Sequence, residues 1–437
     1  MYTSHIAYIL SQPTPSVQQW ISYFSIDSRD IQKGSLFFAL EGAKVSGMNF
    51  LKRVAEKGGI AAIVPKSYIG DSYGLHLFFV ENVTVALQTL AQEKISKISS
   101  AQIIGITGSI GKTTSKEYLF AILQKHFSVF HTPKNYNSQI GMPISLLNAA
   151  DDHQIYVIEM GMSEKGNMEQ LVRIAPLTIG WVTHISHSHF SGFSSLEEIA
   201  EEKAKIFSSP QLKTRILHKD ILQYPSMQCS GSKTIVCGRD VELLTQNLQF
   251  QIRYYKEISH NFSLEIAGKH LLNNFLGAVA IAKLLGMSFT DIFESIQSLP
   301  VVPHRFEKKS YKGITFIDDS YNANADSTIA ALSNVPETTG RKIFVFADMH
   351  ELGSYTEKAH ALVAAKAVQV MDACFCLGEE SKVITDLFIA HNKPGYHYTD
   401  REILSDALSK YIQPKDIVLI KGANQYNLWE IIPRNSS

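Results

Sequence analysis

The residues with the clearest capacity for chemistry stand in one run, GITGSIGKTTSKEYLFAIL. Gly108 and Gly111 let the backbone wrap closely around phosphate oxygens, and the helix that follows offers the unsatisfied N–H groups of its first turn. Lys112 adds a point charge, and a hydroxyl from Thr113 or Thr114 can ligate magnesium. The spacing departs from the usual GxxxxGK[ST] in one respect: the first glycine falls at Ile106, with Gly105 one residue earlier. The context still suits phosphate, because Ile103, Ile104 and Ile106 form a buried strand ahead of the loop and a helix follows it. Without a ligand, the same run reads as a glycine-rich turn.

Two further stretches can complete such a site. Glu159 closes the apolar run YVIEM, and open parallel sheets gather ligands at the carboxyl ends of their strands. A carboxylate there can share a magnesium held by Thr113, or it can simply be solvated. The next apolar run, TIGWVTHISHSHF, delivers His184, His187 and His189. One of them at a strand end suits a second metal, and all three equally suit an ordinary polar loop. In SSLEEIAEEKAKIF, Ser194 with Glu197, or Ser195 with Glu198, forms a capping-box pattern that fixes a helix start. Leu196, Ile199, Ala200, Lys203, Ile206 and Phe207 then share one face, with Glu198, Glu201, Glu202 and Lys205 largely on the other. Lys203 therefore points inward. Burial disfavours its ammonium form, so it pairs with an acid, serves as a neutral nucleophile, or snorkels its tip to solvent.

The elements that must hold these groups follow from apolar periodicity. At 437 residues the chain exceeds what one core usually serves. Up to about Ser100, short apolar runs such as SLFFAL and GIAAIVP mix with helical stretches, and KISKISSAQ reads as a linker. From Ile103 the pattern becomes β-run, glycine turn and helix, repeated through IIGIT, YVIEMGM and TIGWVTHIS, which predicts parallel strands with crossover helices. After VVPHRF it restarts with GITFIDD, KIFVFADM, ACFCLGE and DIVLIKGA. The expected fold class is α/β in three domains, at 1–100, 101–303 and 304–437. Forty-one basic and forty-one acidic side chains cancel, so no global field draws the chain to nucleic acid or an anionic membrane, and an anionic ligand needs a local pocket. No apolar stretch is long enough to span a bilayer and the N-terminus lacks a secretion pattern, so a cytoplasmic chain is expected. Cys229, Cys237, Cys374 and Cys376 lack zinc-like pairing and read as reduced core thiols.

In chain order, TGSIGKTT, KNYNSQIGMP, the glutamate strand, HISHSHFSGFSSLEEIAEEK, GKHLLNNFLGAVAIA, PHRFE and IDDSYNANADS resemble the motifs of the Mur ligase family, over nearly the whole chain. The opening IDSRDIQKGSLFFALEGAKVSG is similar to a UDP-binding N-terminal domain of that family. DDSYNANADS with FADMHELG most closely resembles its dipeptide-adding members. The resemblance implies an ATP-dependent ligase that joins D-alanyl-D-alanine to the terminal carboxylate of UDP-N-acetylmuramoyl-tripeptide, through an acyl phosphate, in peptidoglycan precursor synthesis. It implies a UDP-binding first domain, a P-loop ATPase middle domain and a Rossmann-like third domain that closes on ligand.

Carried over by position, the resemblance assigns ATP to Gly108, Ser109, Gly111, Lys112, Thr113 and Thr114, with Asn274, Arg305 and Asp319 completing the nucleotide site. Two Mg2+ ions are implied, one on Thr113 and Glu159, the other on His189 and a CO2-derived carbamate on Lys203. Lys112, Glu159, His189 and Lys203 would carry the chemistry. Ser28 and Arg29 would meet the uridine diphosphate, and Asn135 and Asn137 would line the precursor's path. The implied partners are small molecules only, with a monomer expected. The chain departs from the family pattern at Ser46-Gly47-Met48, at Leu271 in place of an asparagine, at Ala325 in place of a proline, and at Lys421-Gly422-Ala423-Asn424 in place of KGSR. The rival readings are a sister ligase of the folylpolyglutamate or third-residue-adding type, which lacks either the IDSRDIQKGSLFFAL opening or the NANADS run, and a nucleotide-dependent switch, which has no use for Lys203.

Overall fold

The computed structural model describes residues 1–42, 44–98, 100–187, 192–228, 231–246, 249–262, 269–296 and 299–433, and its strands form three sheets. In the first unit, β1 (Tyr23–Ser25), β2 (Ser35–Phe38), β3 (Ala61–Pro65) and β4 (His76–Val80) pair in chain order, all parallel. The apolar runs SLFFAL and GIAAIVP supply β2 and β3. Their side chains alternate between two cores: Leu36, Phe38 and Ile63 pack with α1 (Thr3–Ile9) and α3 (Val83–Ser96), while Phe37, Ala62 and Val64 pack with α2 (Leu51–Glu56).

The middle unit contains β5 (Gln102–Thr107), α4 (Lys112–Leu123), β6 (Val129–His131), α5 (Gly141–Leu147), β7 (Ile155–Glu159), α6 (Asn167–Ile174), β8 (Ile179–Val182), α7 (Leu196–Ala204) and β9 (Thr214–His218). It continues with β10 (Lys233–Cys237), β11 (Val241–Gln246), β12 (Gln249–Tyr254), β13 (Glu257–Ile258), α8 (Lys269–Leu284) and α9 (Phe289–Ile296). Its nine strands run β13-β12-β11-β10-β9-β8-β5-β7-β6, so the strand before the glycine loop lies between β8 and β7. Strand order reverses at β5, which opens a crevice at its carboxyl end. The first unit docks on this one through α3 against α5, and the Asn148 carboxamide accepts from Phe24 N–H (2.9 Å) and donates to Phe24 O (2.8 Å).

The third unit comprises β14 (Glu307–Tyr311), β15 (Ile314–Asp318), α10 (Ala325–Ser333), β16 (Lys342–Ala347), α11 (Thr356–Val370), β17 (Ala373–Leu377), α12 (Lys382–Ala390), β18 (Gly395–Tyr398), α13 (Arg401–Tyr411) and β19 (Ile417–Lys421). The sheet order is β14-β15-β19-β16-β17-β18, parallel except for the β14–β15 hairpin. Phe344 and Phe346 enter one core and Ile343 and Val345 the other, as expected for strands covered on both faces. Cys237, Cys374 and Cys376 are buried free thiols, and Cys229 lies outside the described residues. Among the described residues no helix is long and apolar enough to cross a membrane.

Candidate active site

The glycine loop is held against the end of β8. Gly108 has φ +153°, and a Cβ there would lie 2.0 Å from Thr183 Oγ1, so only glycine fits. Thr183 Oγ1 in turn donates to Ile110 O (2.6 Å). Ser109 is fully engaged in the same brace: its N–H donates to His184 O (2.8 Å), and its hydroxyl donates to Ser186 O (2.8 Å) and accepts from Ser186 N–H (2.9 Å). Gly111, at φ +83°, begins α4, with the Asn274 carboxamide packed over it. Thr113 and Thr114 follow in the first helical turn. Lys112 folds back so that Nζ donates to Gly108 O (2.7 Å), and burial, reinforced by Arg305 and opposed by Glu159, lowers its pKa.

This loop forms one wall of a cleft of about 480 Å³ shared with the third unit. The middle unit contributes the loop with Asn135, Asn137, Glu159, His184 and Asn274, and the third unit contributes Arg305, Asp319, Tyr321, Asp326 and Lys421. Glu159 is 2% exposed. Asn137 Nδ2 donates to its Oε1 at 2.7 Å, whereas Oε2 is buried without a hydrogen-bond partner, and the nearest cation is Lys116 Nζ at 3.8 Å. Across the cleft, the Arg305 guanidinium lies 4.1 Å from the Tyr321 ring centroid, and its neighbours His304 and Phe306 both have left-handed backbones. Phe306 N–H donates to Asp319 Oδ1 (3.0 Å), and Lys421 Nζ pairs with Asp319 Oδ2 (2.7 Å). A nearby cluster of His304, Glu307 and Asp318 is already neutralised by Lys309, at 2.8 Å from Asp318 and 3.0 Å from Glu307.

Lys203 is inward, as periodicity predicts, and at 1% exposure it does not snorkel. Burial, then the charge of Lys112, push its pKa well down, and Glu202 opposes them. Helix α7 differs from expectation in two respects. Ser195 accepts from Glu198 N–H (3.2 Å), but the Glu198 carboxylate returns to Ser194 N–H (2.9 Å) rather than to the cap residue. Glu202, expected on the outer face, is 2% exposed: it accepts Met168 N–H (3.0 Å) at the start of α6 and pairs with Lys205 (2.7 Å). The unsatisfied amides of a helix N-terminus attract a carboxylate strongly enough to draw it inward.

His184 lines the cleft, with its pKa lowered mainly by burial, and His187 stacks on Tyr355 of the third unit (4.1 Å). His189 lies outside the described residues. Ser28 and Arg29 follow β1 and do not line the cleft; Ser28 is buried, and Arg29 is exposed and forked onto Asp27 (2.6 Å). The departures from pattern have local reasons. Leu271 packs into the third unit's core with Phe306 and Leu352. Ala325 occupies the first position of α10, after the Asn324–Ser327 capping box, where proline costs nothing and alanine loses nothing. Lys421 holds Asp319, and Asn424 Nδ2 donates to Tyr321 O (3.0 Å). Sequence reasoning missed Lys116, Thr183 and Tyr321. Lys116 was within reach, because it stands one helical turn after Lys112 on the same face.

Comparison with known proteins gives a consistent result. The family model described as Mur ligase middle domain matches residues 106–282, that described as Mur ligase, glutamate ligase domain matches 304–424, and that described as Mur ligase family, catalytic domain matches 21–71. The UDP-N-acetylmuramoyl-tripeptide--D-alanyl-D-alanine ligase of Bacillus subtilis is 30% identical over 435 residues, covering 96% of this chain and 94% of the relative. Among solved structures, MurF from Acinetobacter baumannii superposes with a TM-score of 0.85 at 24% identity, covering 98% of this chain and 97% of that one. MurF ligase from Thermotoga maritima, in complex with ADP, gives 0.81 at 24% identity, covering 94% and 96%.

Proposed function

The chain belongs to the Mur ligase family, and from that premise we infer that it joins D-alanyl-D-alanine to the terminal carboxylate of UDP-N-acetylmuramoyl-tripeptide, at the expense of ATP, in peptidoglycan precursor synthesis. The observation that carries the reading is convergence. The phosphate loop, the buried Glu159 with an unpartnered oxygen, the Asn135–Asn137 wall and Arg305 of the third unit all face one cleft. Residues 1–100 are assigned to the UDP end of the precursor, 101–303 to ATP, and 304–437 to the nucleotide and the dipeptide. The substrates are small and water-soluble, which suits a cytoplasmic setting.

In the first step a carboxylate oxygen of the precursor attacks the γ-phosphorus of ATP and ADP departs, leaving an acyl phosphate. In the second, the dipeptide amine attacks the acyl carbon, phosphate leaves, and the amine gives up a proton. Lys112, released from Gly108 O, turns onto the phosphates, and the first-turn N–H groups of α4 donate to their oxygens. Arg305, steadied by Tyr321, supplies a second cation from the opposite wall. Asn137 orients Glu159 and limits the space in which the precursor carboxylate lies. The donor set fits hard divalent cations: Glu159 Oε2 is buried without a partner, and the Thr113 hydroxyl stands in the same cleft. Bound Mg2+ would offset repulsion between the two anions. Lys203, buried and with its pKa pushed well down by that burial, has the amine that carbamylation by CO2 requires, and its carbamate would join His189 at a second ion.

The test is phosphate release from ATP by the purified protein with magnesium and UDP-N-acetylmuramoyl-tripeptide, with and without D-alanyl-D-alanine and with single amino acids as controls. Release that requires both precursor and dipeptide supports the assignment. Release independent of both points to a nucleotide switch, and release with a single amino acid points to a sister ligase.

A further inference from the structure

Beneath the cleft, Lys116 is completely buried, a second lysine on the helix that begins with Lys112. Its ammonium donates to Thr132 O (2.7 Å) and Lys134 O (3.0 Å), and it stands 3.2 Å from Glu117 Oε1 and 3.8 Å from Glu159 Oε2. Two carbonyls so close in sequence converge on one ammonium because the chain bends sharply between them and Asn135. Lys134 has φ +49°, a left-handed conformation that a residue with a side chain keeps only when its surroundings hold it there. The same segment is gripped from its other side. Thr132 Oγ1 accepts Glu159 N–H (3.0 Å), Asn137 Nδ2 donates to Glu159 Oε1 (2.7 Å), and Gly161 N–H donates to Asn137 O (2.8 Å).

We propose that Lys116 is a positioning residue that ties the precursor-facing segment 132–137 to the helix carrying the phosphate loop, and so sets where Asn135 and Asn137 stand relative to the nucleotide. The inference rests on the ligase reading of this cleft. An apolar side chain would fill the space without the cost of burying a charge, so packing alone does not account for a lysine here. Three donors on one flexible stem meet the two carbonyls and reach the Glu117 and Glu159 carboxylates, which no apolar residue can do. Its hydrogen bonds go to Thr132 O and Lys134 O and none is recorded to residues 108–114, so its loss loosens the precursor wall before the nucleotide cradle.

The experiment compares the full-length wild type with Lys116→Met and Lys116→Gln. It measures KM for UDP-N-acetylmuramoyl-tripeptide and for ATP, ADP binding by calorimetry, and amide exchange over residues 132–137. For Lys116→Met, precursor KM should rise about tenfold or more, the loss expected from freeing two charge-assisted hydrogen bonds. ADP affinity should stay within about threefold, with faster exchange confined to 132–137. Lys116→Gln keeps two donors without the charge and should fall between, and it carries the comparison if the methionine variant does not fold. Parallel losses of ADP and precursor binding, or an unchanged precursor KM with a lower kcat, overturn the proposal while the ligase reading stands. A wild type that shows no precursor-dependent phosphate release overturns both.

Discussion

Replacing Glu159 with glutamine removes one negative charge and almost no volume, which separates the chemistry of the site from its packing. In the structure Oε1 already accepts from Asn137, and a glutamine oxygen can keep that bond. The charge lost is 3.8 Å from Lys116 Nζ, where two unit charges attract by about 4 kcal/mol at an effective dielectric near 20. Taking the carboxylate out of water costs roughly several kcal/mol, so the two effects nearly cancel in stability. The unfolding temperature of Glu159→Gln is therefore expected to move by no more than about 3 °C. On the proposed assignment catalysis has no such compensation, because the carboxylate would face the position where phosphate charge and a divalent cation meet. A loss of about 3–4 kcal/mol of transition-state stabilisation slows turnover by about 100-fold to 1,000-fold. The assay is dipeptide-dependent phosphate release at saturating substrates across a magnesium titration, with thermal unfolding alongside. A variant that keeps more than about a tenth of wild-type turnover at every magnesium concentration would refute the assignment of Glu159 as a cation ligand.

Gly108→Ala should abolish ADP binding and lower the unfolding temperature, because its Cβ would lie 2.0 Å from Thr183 Oγ1; Gly166→Ala, left-handed but in open space, should cost only about 1–2 kcal/mol and leave ADP affinity intact. Lys203→Met should abolish ligation, and wild-type turnover should fall when bicarbonate is depleted and return when it is restored. The folded-state pKa of Lys203 is lowered, so the unfolded chain binds the extra proton, and wild-type stability relative to Lys203→Met must rise as pH climbs from that lowered pKa toward about 10.4. Denaturant titrations at pH 7 and 9 in metal-free, CO2-free buffer check this sign, and a relative loss toward pH 9 contradicts it. Tyr321→Leu removes the ring beneath Arg305, a contact worth about 0.5–2 kcal/mol, so KM for ATP should rise by about 2-fold to 30-fold with the fold unchanged by circular dichroism.

What the sequence by itself determined is what depends on near neighbours. A strand, two glycines, a lysine and a helix define the phosphate loop within one short stretch, and a period of 3.6 residues was enough to turn Lys203 inward. The motif order along the chain likewise carried the family and the three-unit α/β fold. Contacts between elements distant in sequence belonged to the tertiary structure. Ser109 is assigned to the nucleotide by motif, and in the fold the chain leaving β8, which lies beside β5, engages both its amide and its hydroxyl. Glu202 belonged to an exposed face by periodicity, yet the start of α6 lies against α7 and offers it an unsatisfied amide. Lys116 shares a helical face with Lys112, but its partners are carbonyls beyond β6 that only the folded sheet brings to it. Helical and strand periods report which way a side chain points, because that is set by the backbone dihedrals of its immediate neighbours; what it meets there is decided by strand order, which no local period encodes.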